Sequence, residues 1–210
     1  MAKQIEGVYE RILECAKDEF LEKGYKDASL RVIAQKADTS TSSIYTRFSD
    51  KEGLFKALVT SVVDGVKEWF VKEQEEFHQL PGDTQKQNTF AYATDKIEAF
   101  VDYIYDHFEI FKMLIIGSDG TGFSDFINDF VDIDVNYTVK FLETTNNDAI
   151  PSGRASPELL HMLTSAYYLG IFETVIHDMS REDAHVYVRQ LRRFFMCGWK
   201  DIFDPQAGGG

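Results

Sequence analysis

Apolar residues recur at steps of three and four through most of this chain, and no segment sustains the alternation that a half-buried strand requires. That pattern points to an all-α fold of about nine helices. Only 4 prolines interrupt it (Pro81, Pro151, Pro157 and Pro205), and three of them fall in loops or at a helix start. Ile5, Val8, Ile12, Ala16 and Phe20 form the inner stripe of a first helix, which Gly24 is placed to stop as a C′ residue. Ser29 can cap a second helix whose inner face carries Leu30, Ile33, Ala34 and Ala37. Asp38 marks a tight turn. Thr39 or Ser40 then caps a short third helix anchored inward by Ile44 and Phe48. Ser49-Asp50-Lys51-Glu52 has the form of a capping box before a fourth helix, expected from about Asp50 to His78 and roughly 40 Å long.

Leu80-Pro81-Gly82-Asp83 breaks that helix. A fifth helix carries Phe90, Ala93, Ile97, Phe100, Val101, Ile104 and Phe108, and a short sixth spans Glu109 to Ile116. After the loop Gly117–Gly122 a seventh carries Phe123, Phe126, Phe130, Ile133, Tyr137 and Phe141. Asn146–Pro157 is the longest loop. Ser156-Pro157 opens an eighth helix, and Ser180 starts a ninth that runs to about Phe203. The expected division is a head over residues 1–50, a helical region over 51–204 joined to it by the fourth helix, and a flexible tail at 205–210.

Charge is spread unevenly. Residues 1–56 hold ten Lys/Arg and ten Asp/Glu, so the excess behind the net charge of −13 lies in the remainder, with 12 basic and 25 acidic groups. A neutral head draws on locally placed Arg and Lys for any contact with a polyanion, and such binding is salt-sensitive. No apolar run approaches the ~20 residues that cross a bilayer, and the N-terminus lacks the apolar core of a signal peptide. A cytoplasmic protein that keeps clear of membranes is expected, with Cys15 and Cys197 as buried, reduced thiols.

The third helix carries the chemistry. Thr41, Ser42, Ser43, Tyr45 and Thr46 form its outward face, with Ser40 before it and Arg47 after. Short hydroxyls hydrogen-bond base edges or phosphates, and a tyrosine at mid-helix reaches a phosphate. Ser29 and Arg31 at the start of the second helix, and Lys51 at the start of the fourth, stand where free backbone N–H groups also favour phosphate. A Ser/Thr-rich solvated loop is the alternative reading of TSTSS, but a loop has no need of an apolar pair at Ile44 and Phe48. Helix, tight turn and short polar-faced helix together make a helix-turn-helix.

Ile12-Leu13, Ala16, Phe20, Gly24-Tyr25, Ser29, Ile33-Ala34, Ser40, Ile44-Tyr45, Phe48 and Lys51-Glu52 together resemble the pattern of the TetR family of transcriptional regulators over about the first quarter of the chain. Two positions depart from it: Asp38 stands where the family usually has Gly, and Thr39 where it has an apolar residue. The resemblance implies a three-helix DNA-binding domain followed by a helical bundle for ligand binding and dimerisation. It also implies a homodimer on a palindromic double-stranded operator, most simply as a repressor released by a small apolar or aromatic effector. A DNA-binding protein without an effector, controlled by a protein partner, is the alternative. With so little charge on the third helix, bidentate reading of guanine falls to Arg47 alone, which could instead contact phosphate.

Catalytic motifs are absent, so the chain is not expected to be an enzyme, and no cofactor is expected. The separations of His161, His177 and His185 do not suit a metal site. Phe100, Tyr103, His107, Phe111, Phe126, Phe130, Tyr137 and Tyr167 form an aromatic series. Singly each could be core, while as a group, with the resemblance, they are expected to line a ligand pocket. Asp102 and Asp106 could favour a cationic ligand or simply face water, and Glu173 could be a buried acceptor. Helix eight is apolar on nearly every side, so burial on both faces is expected. By the family's pattern the dimer is built on helices eight and nine, through Leu163, Gly170, Leu191, Phe195, Gly198 and Trp199.

Overall fold

Nine helices and no strand occupy the described residues, which are 2–204 of the computed structural model, with side chains from residue 7 onward. The helices are α1 (Ala2–Asp27), α2 (Leu30–Lys36), α3 (Thr41–Phe48), α4 (Lys51–His78), α5 (Gly82–Asp106), α6 (Phe108–Ile116), α7 (Phe126–Thr144), α8 (Pro157–Ile176) and α9 (Arg181–Phe203). The Ile5 side chain and the tail at 205–210 fall outside the described residues.

Three local expectations change. Gly24 (φ 71°, ψ 170°) interrupts α1 rather than ending it, and a last turn continues to Asp27. The break frees the Tyr25 N–H to donate to the Gly117 carbonyl at 2.9 Å, so the interruption ties α1 to the end of α6. The box expected at Ser49 is shifted by one residue. Ser49 itself closes α3 with φ 69°, and the Asp50 carboxylate caps α4 by accepting from the Gly53 N–H at 2.7 Å. Phe123 does not belong to α7. It sits in a turn where its N–H donates to the Thr121 hydroxyl, and Phe108 likewise opens α6 instead of closing α5.

The chain divides into two compact units whose borders differ from the expected ones. The first takes in residues up to Val66 together with His107–Phe126; the second holds Lys67–Asp106 and the residues from Ile127 on. In the first, Ile12, Phe20, Ile33, Ile44, Leu54 and Phe55 are fully buried, with Phe20 edge-on to Phe55 at 5.2 Å. Each such side chain contributes about 2 kcal/mol by leaving water. Glu109 on α6 pairs with Lys17 on α1, which explains why residues far along the sequence join this unit.

In the second unit Phe70, Phe100, Phe130 and Phe172 form the fully buried centre, Phe70 meeting Phe130 edge-on at 5.5 Å. A satellite cluster of Phe77, Phe141, Leu142, Ala149, Ala155 and Leu160 lies beside Trp199 and Phe203. The loop after α7 clamps the end of α9: Asn147 donates to the Phe203 carbonyl at 2.9 Å and Arg154 to that of Ile202 at 3.0 Å.

Helix α8 corrects two expectations. Over its 20 residues it is long and apolar enough, by length and composition, to cross a bilayer, contrary to the absence of such a run. It is also not buried on both faces. Leu160, Thr164, Tyr168, Ile171, Phe172 and Val175 pack inward, while Leu159, Met162, Leu169 and Ile176 are exposed in a stripe at steps of three, seven and seven. Cys197 is exposed as well, on α9, and Cys15 is half-buried, so neither thiol is in a core.

Candidate functional site

The reading face rests on two apolar anchors. Ile44 and Phe48, one turn apart on α3, are buried against the first unit's core, and Phe48 stacks on Tyr9 at 5.1 Å. Helical geometry then turns Ser42, Tyr45 and Thr46 outward, and all three are exposed, Tyr45 by 54%. Thr41, Ser43 and Arg47 flank them half-buried. Ser40, exposed, is the cap: its hydroxyl accepts from the Ser43 N–H at 3.2 Å.

The turn that aims α3 closes without glycine. Asp38 takes φ 50°, its N–H bonds the Gln35 carbonyl at 3.2 Å, and the Thr39 N–H bonds that of Ala34 at 2.9 Å. This pair of bonds is the Schellman arrangement, with aspartate in the left-handed position. Aspartate tolerates that conformation better than most residues.

Basic side chains near the face are engaged within the unit. Arg47 folds back along α3 onto the Ser43 carbonyl (3.2 Å) and hydroxyl (2.5 Å). Lys51 reaches over the Tyr25 ring to donate to the carbonyls of Lys26 (3.0 Å) and Ala28 (3.1 Å), satisfying the end of α1. Arg31 is exposed. Ser29 occupies the N-cap of α2 but its hydroxyl makes no cap bond. A residue missed in the sequence holds this corner in another way: Glu19, buried at 4% exposure, accepts from the Ser29 N–H at 3.3 Å and from Lys36 at 3.3 Å. Its position on the inner stripe, between Ala16 and Phe20, was the available signal.

The second unit holds a partly open cavity of about 150 Å³. Its walls come from α4 (Phe70, Gln74, Phe77, His78), α5 (Phe90, Tyr92, Lys96, Phe100), α7 (Asp134, Tyr137, Phe141), α8 (Thr164, Tyr167, Tyr168) and α9 (Met196, Trp199, Phe203). Phe77 and Tyr92 stack at 4.3 Å, and Trp199 and Phe203 at 5.4 Å. His78 spans from the Gln74 carbonyl (2.8 Å) to that of Tyr137 (3.0 Å), tying α4 to α7. Two charged residues sit among these rings. Lys96 has its ammonium 3.7 Å from the Phe70 ring centre, and burial pushes its pKa down to about 8. Asp134 accepts from Gln74 at 2.8 Å and from the Tyr168 hydroxyl, and burial pushes its carboxyl up from the usual range. Burial also raises the phenols of Tyr92, Tyr167 and Tyr168.

Of the aromatic series, Phe100, Tyr137 and Tyr167 line this cavity. Phe130 lies behind Phe70 in the core, and Tyr103 and His107 are half-buried away from the lining. Phe111 and Phe126 meet edge-on at 5.8 Å in the first unit instead. Lys96 and Asp134, the cavity's charges, were not foreseen. Asp102 and Asp106 are surface groups paired with Arg181 at 3.2 and 2.7 Å, and Glu173 is half-exposed beside His177 at 3.0 Å rather than buried. On α8 and α9, Leu163, Phe195, Gly198 and Trp199 line a shallow open groove with Phe194, which is 75% exposed. Gly170 and Leu191 face each other within the chain. A Cβ at Gly170 would lie 2.9 Å from Leu191 Cδ2, so this glycine serves the α8–α9 contact.

Residues 12–58 match the family model described as bacterial regulatory proteins, tetR family. Over 71 residues the chain is 39% identical to YvdT, an uncharacterized HTH-type transcriptional regulator of Bacillus subtilis (strain 168). That match covers 32% of this chain and 37% of the relative, so the chain spans little more than a third of it. Two solved structures are similar over most of the chain. One is a TerR/AcrR-family transcriptional regulator from Aquifex aeolicus VF5, with TM-score 0.55 and 19% identity over 90% of this chain and 98% of that one. The other is NalD of Pseudomonas aeruginosa, the secondary repressor of the MexAB-OprM multidrug efflux pump, with TM-score 0.56 and 19% identity over 90% and 96%. The fold is thus the all-helical class that joins a helix-turn-helix region to a helical bundle. Residues 12–58 match the tetR model, and the chain as a whole shares the fold of those two structures.

Proposed function

We propose that this chain is a dimeric, sequence-specific DNA-binding regulator that represses transcription until a small molecule occupies the cavity of the second unit. The observation that carries the reading is the polar outer face of α3, with Tyr45, Ser42 and Thr46 exposed over the buried pair Ile44 and Phe48. Ser40, Thr41, Ser43 and Arg31 complete the contact set, Arg47 joins by swinging off Ser43, and Lys51 contributes mainly by holding the end of α1. With few free cations in each head, specific affinity comes from two heads on half-sites of a palindrome about one helical turn apart. The exposed stripe Leu159, Met162, Leu169 and Ile176 on α8, with Phe194 on α9, is the apolar surface through which two copies would pair. NalD is a repressor by its own description, which is the precedent for the sign of control.

Helix α4 supplies the means of control. It is continuous from Lys51 to His78, giving Leu54 and Phe55 to the core beneath the head and Phe70, Gln74, Phe77 and His78 to the cavity. A ligand that prefers one setting of α4 shifts the population of head arrangements, and so releases the operator. A cytoplasmic location follows from this role. The test is fluorescence anisotropy with the chain's own upstream DNA and a scrambled duplex, at low and moderate salt. Selective binding that weakens steeply with salt is expected, and equal affinity for both duplexes would sink the reading. Light scattering on the wild type and on Phe194→Glu checks the pairing, with a dimer and a monomer expected in turn.

A further inference from the structure

Lys96 is an anomaly in the cavity. Its side chain is only 9% exposed, yet its ammonium, with three donors, has a single hydrogen-bond partner among the described residues: the Tyr92 hydroxyl at 3.4 Å. The ammonium otherwise faces the rings of Phe70 and Tyr92 at 3.7 and 5.4 Å. Asp134 attracts Lys96 by charge, but its hydrogen bonds come from two neutral donors, Gln74 at 2.8 Å and the Tyr168 hydroxyl. A buried ammonium with open donors costs free energy that an incoming acceptor recovers, whereas a satisfied carboxylate offers a cationic ligand little. The asymmetry favours an anion.

Size narrows the class. A partly open cavity of about 150 Å³ accommodates one ring, and its walls are aromatic. The adjoining surface has the matching sign. Phe90 and Met196 line both the cavity and an outer groove that carries Arg189, Arg192, Arg193 and Lys200, in a chain whose net charge is −13. Cations gathered at a mouth raise the local concentration of an anion.

We propose that the effector is a small aromatic weak acid whose carboxylate, or equivalent anionic head, accepts hydrogen bonds from the Lys96 ammonium while its ring packs between Phe70, Tyr92 and Phe100. Burial pushes the Asp134 carboxyl toward its protonated form, so a proton taken up there on binding keeps the site neutral. The inference rests on the cavity being the effector site, as in the proposed function, and adds the sign of the ligand's charge.

Isothermal titration of the full chain with benzoate, benzyl alcohol and benzylamine, three probes alike in shape but not in charge, tests it. The wild type should bind benzoate about tenfold or more tighter than benzyl alcohol, and benzylamine weakest. Lys96→Met should bring the benzoate-to-alcohol ratio close to one while keeping the alcohol affinity. Lys96→Arg, which keeps the charge, should retain the preference, and circular dichroism on both variants confirms that they fold. A benzoate preference that survives in Lys96→Met overturns the proposal, as does tightest binding of benzylamine. Equal binding of benzoate and the alcohol by the wild type overturns the charge assignment yet leaves effector control standing. Failure of all three probes overturns the cavity as the site. A Lys96-dependent benzoate preference in a protein without selective DNA binding overturns the regulatory reading alone.

Discussion

The reading helix and the cavity are built on opposite plans. On α3, eight residues suffice: two anchors are buried and the outward side chains touch little but their own helix. The cavity needs five helices, and its polar groups hold one another, Gln74 and Tyr168 on Asp134, His78 between two carbonyls. An open face of this kind can change without touching the fold, because its residues carry contact with a partner and little stability. In a site packed from five helices every substitution is felt in both. The teaching is a separation: mutations on the outward face of α3 should read out in binding only, mutations around Lys96 in binding and stability together.

The harshest way to break that separation is to attack what holds α3 rather than what it displays. A Cβ at Gly53 would lie 1.9 Å from the Phe48 carbonyl oxygen, a backbone atom that cannot step aside. Gly53→Ala should therefore remake the corner between α3 and α4 and cost about 4 kcal/mol. Hydrogen exchange should show α2, α3 and the start of α4 losing protection, with DNA binding lost. Native-like protection in the variant would mean that the corner is softer than its geometry.

Next in size is the buried charge. Lys96 is held down at about 8 against an ordinary 10.5, a difference worth about 3 kcal/mol in disfavour of the charged native form. The sign follows from linkage. Below pH 8 the native chain must carry the ammonium inside while the unfolded chain carries it in water, so the destabilisation is full there. Between about 8 and 10.5 the native form has shed the proton and the unfolded form has not, so stability is regained as pH rises. Lys96→Met should thus melt higher than the wild type at neutral pH, by up to about 3 kcal/mol in unfolding free energy. The gap should close on the way to pH 10.5, where Lys96 is ordinarily half-protonated. A gap independent of pH would show that packing, not charge, separates the two.

Tyr45→Ala probes the other side. With 54% of its surface exposed, its removal should leave the melting point unchanged. Operator affinity should fall about tenfold. A matched drop in stability would mean that α3 is not an open face.

How much was legible follows from the same contrast. The helix-turn-helix could be read because each of its parts is local: the pair Ile44 and Phe48, the Ser40 cap and the Asp38 turn all lie within a few residues. The nine helices were legible by their periodicity for the same reason. Phe111, Phe126 and Phe130 show the limit, because spacing along a helix marks a buried face without saying what that face is buried against. Phe123 went to the first unit through its contact with Phe55, at 6.1 Å between ring centres, which no local rule encodes. Lys96 reads as an ordinary surface lysine in the sequence. Only the approach of α4 and α7 around it makes it a buried cation. Gly170 was expected at the dimer contact, and within the chain its neighbour is Leu191.

The smallest expected effect concerns Asp38, one of the two positions at which the head departs from the tetR pattern. Asp38 holds φ 50° at the end of α2, and glycine would adopt that conformation without a Cβ cost of about 1 kcal/mol. Part of the gain is offset because glycine makes the unfolded chain more flexible. Asp38→Gly should thus raise stability by about 0.5 kcal/mol, seen as a small rise in the denaturant midpoint at constant slope. It also removes an exposed negative charge near the reading face, so DNA affinity should rise slightly more at low salt than at moderate salt. The two effects can be told apart: Asp38→Asn keeps a side chain at positive φ but loses the charge. If Asp38→Asn matches the glycine variant in stability, the backbone is unstrained at Asp38 and the turn owes nothing to its residue type.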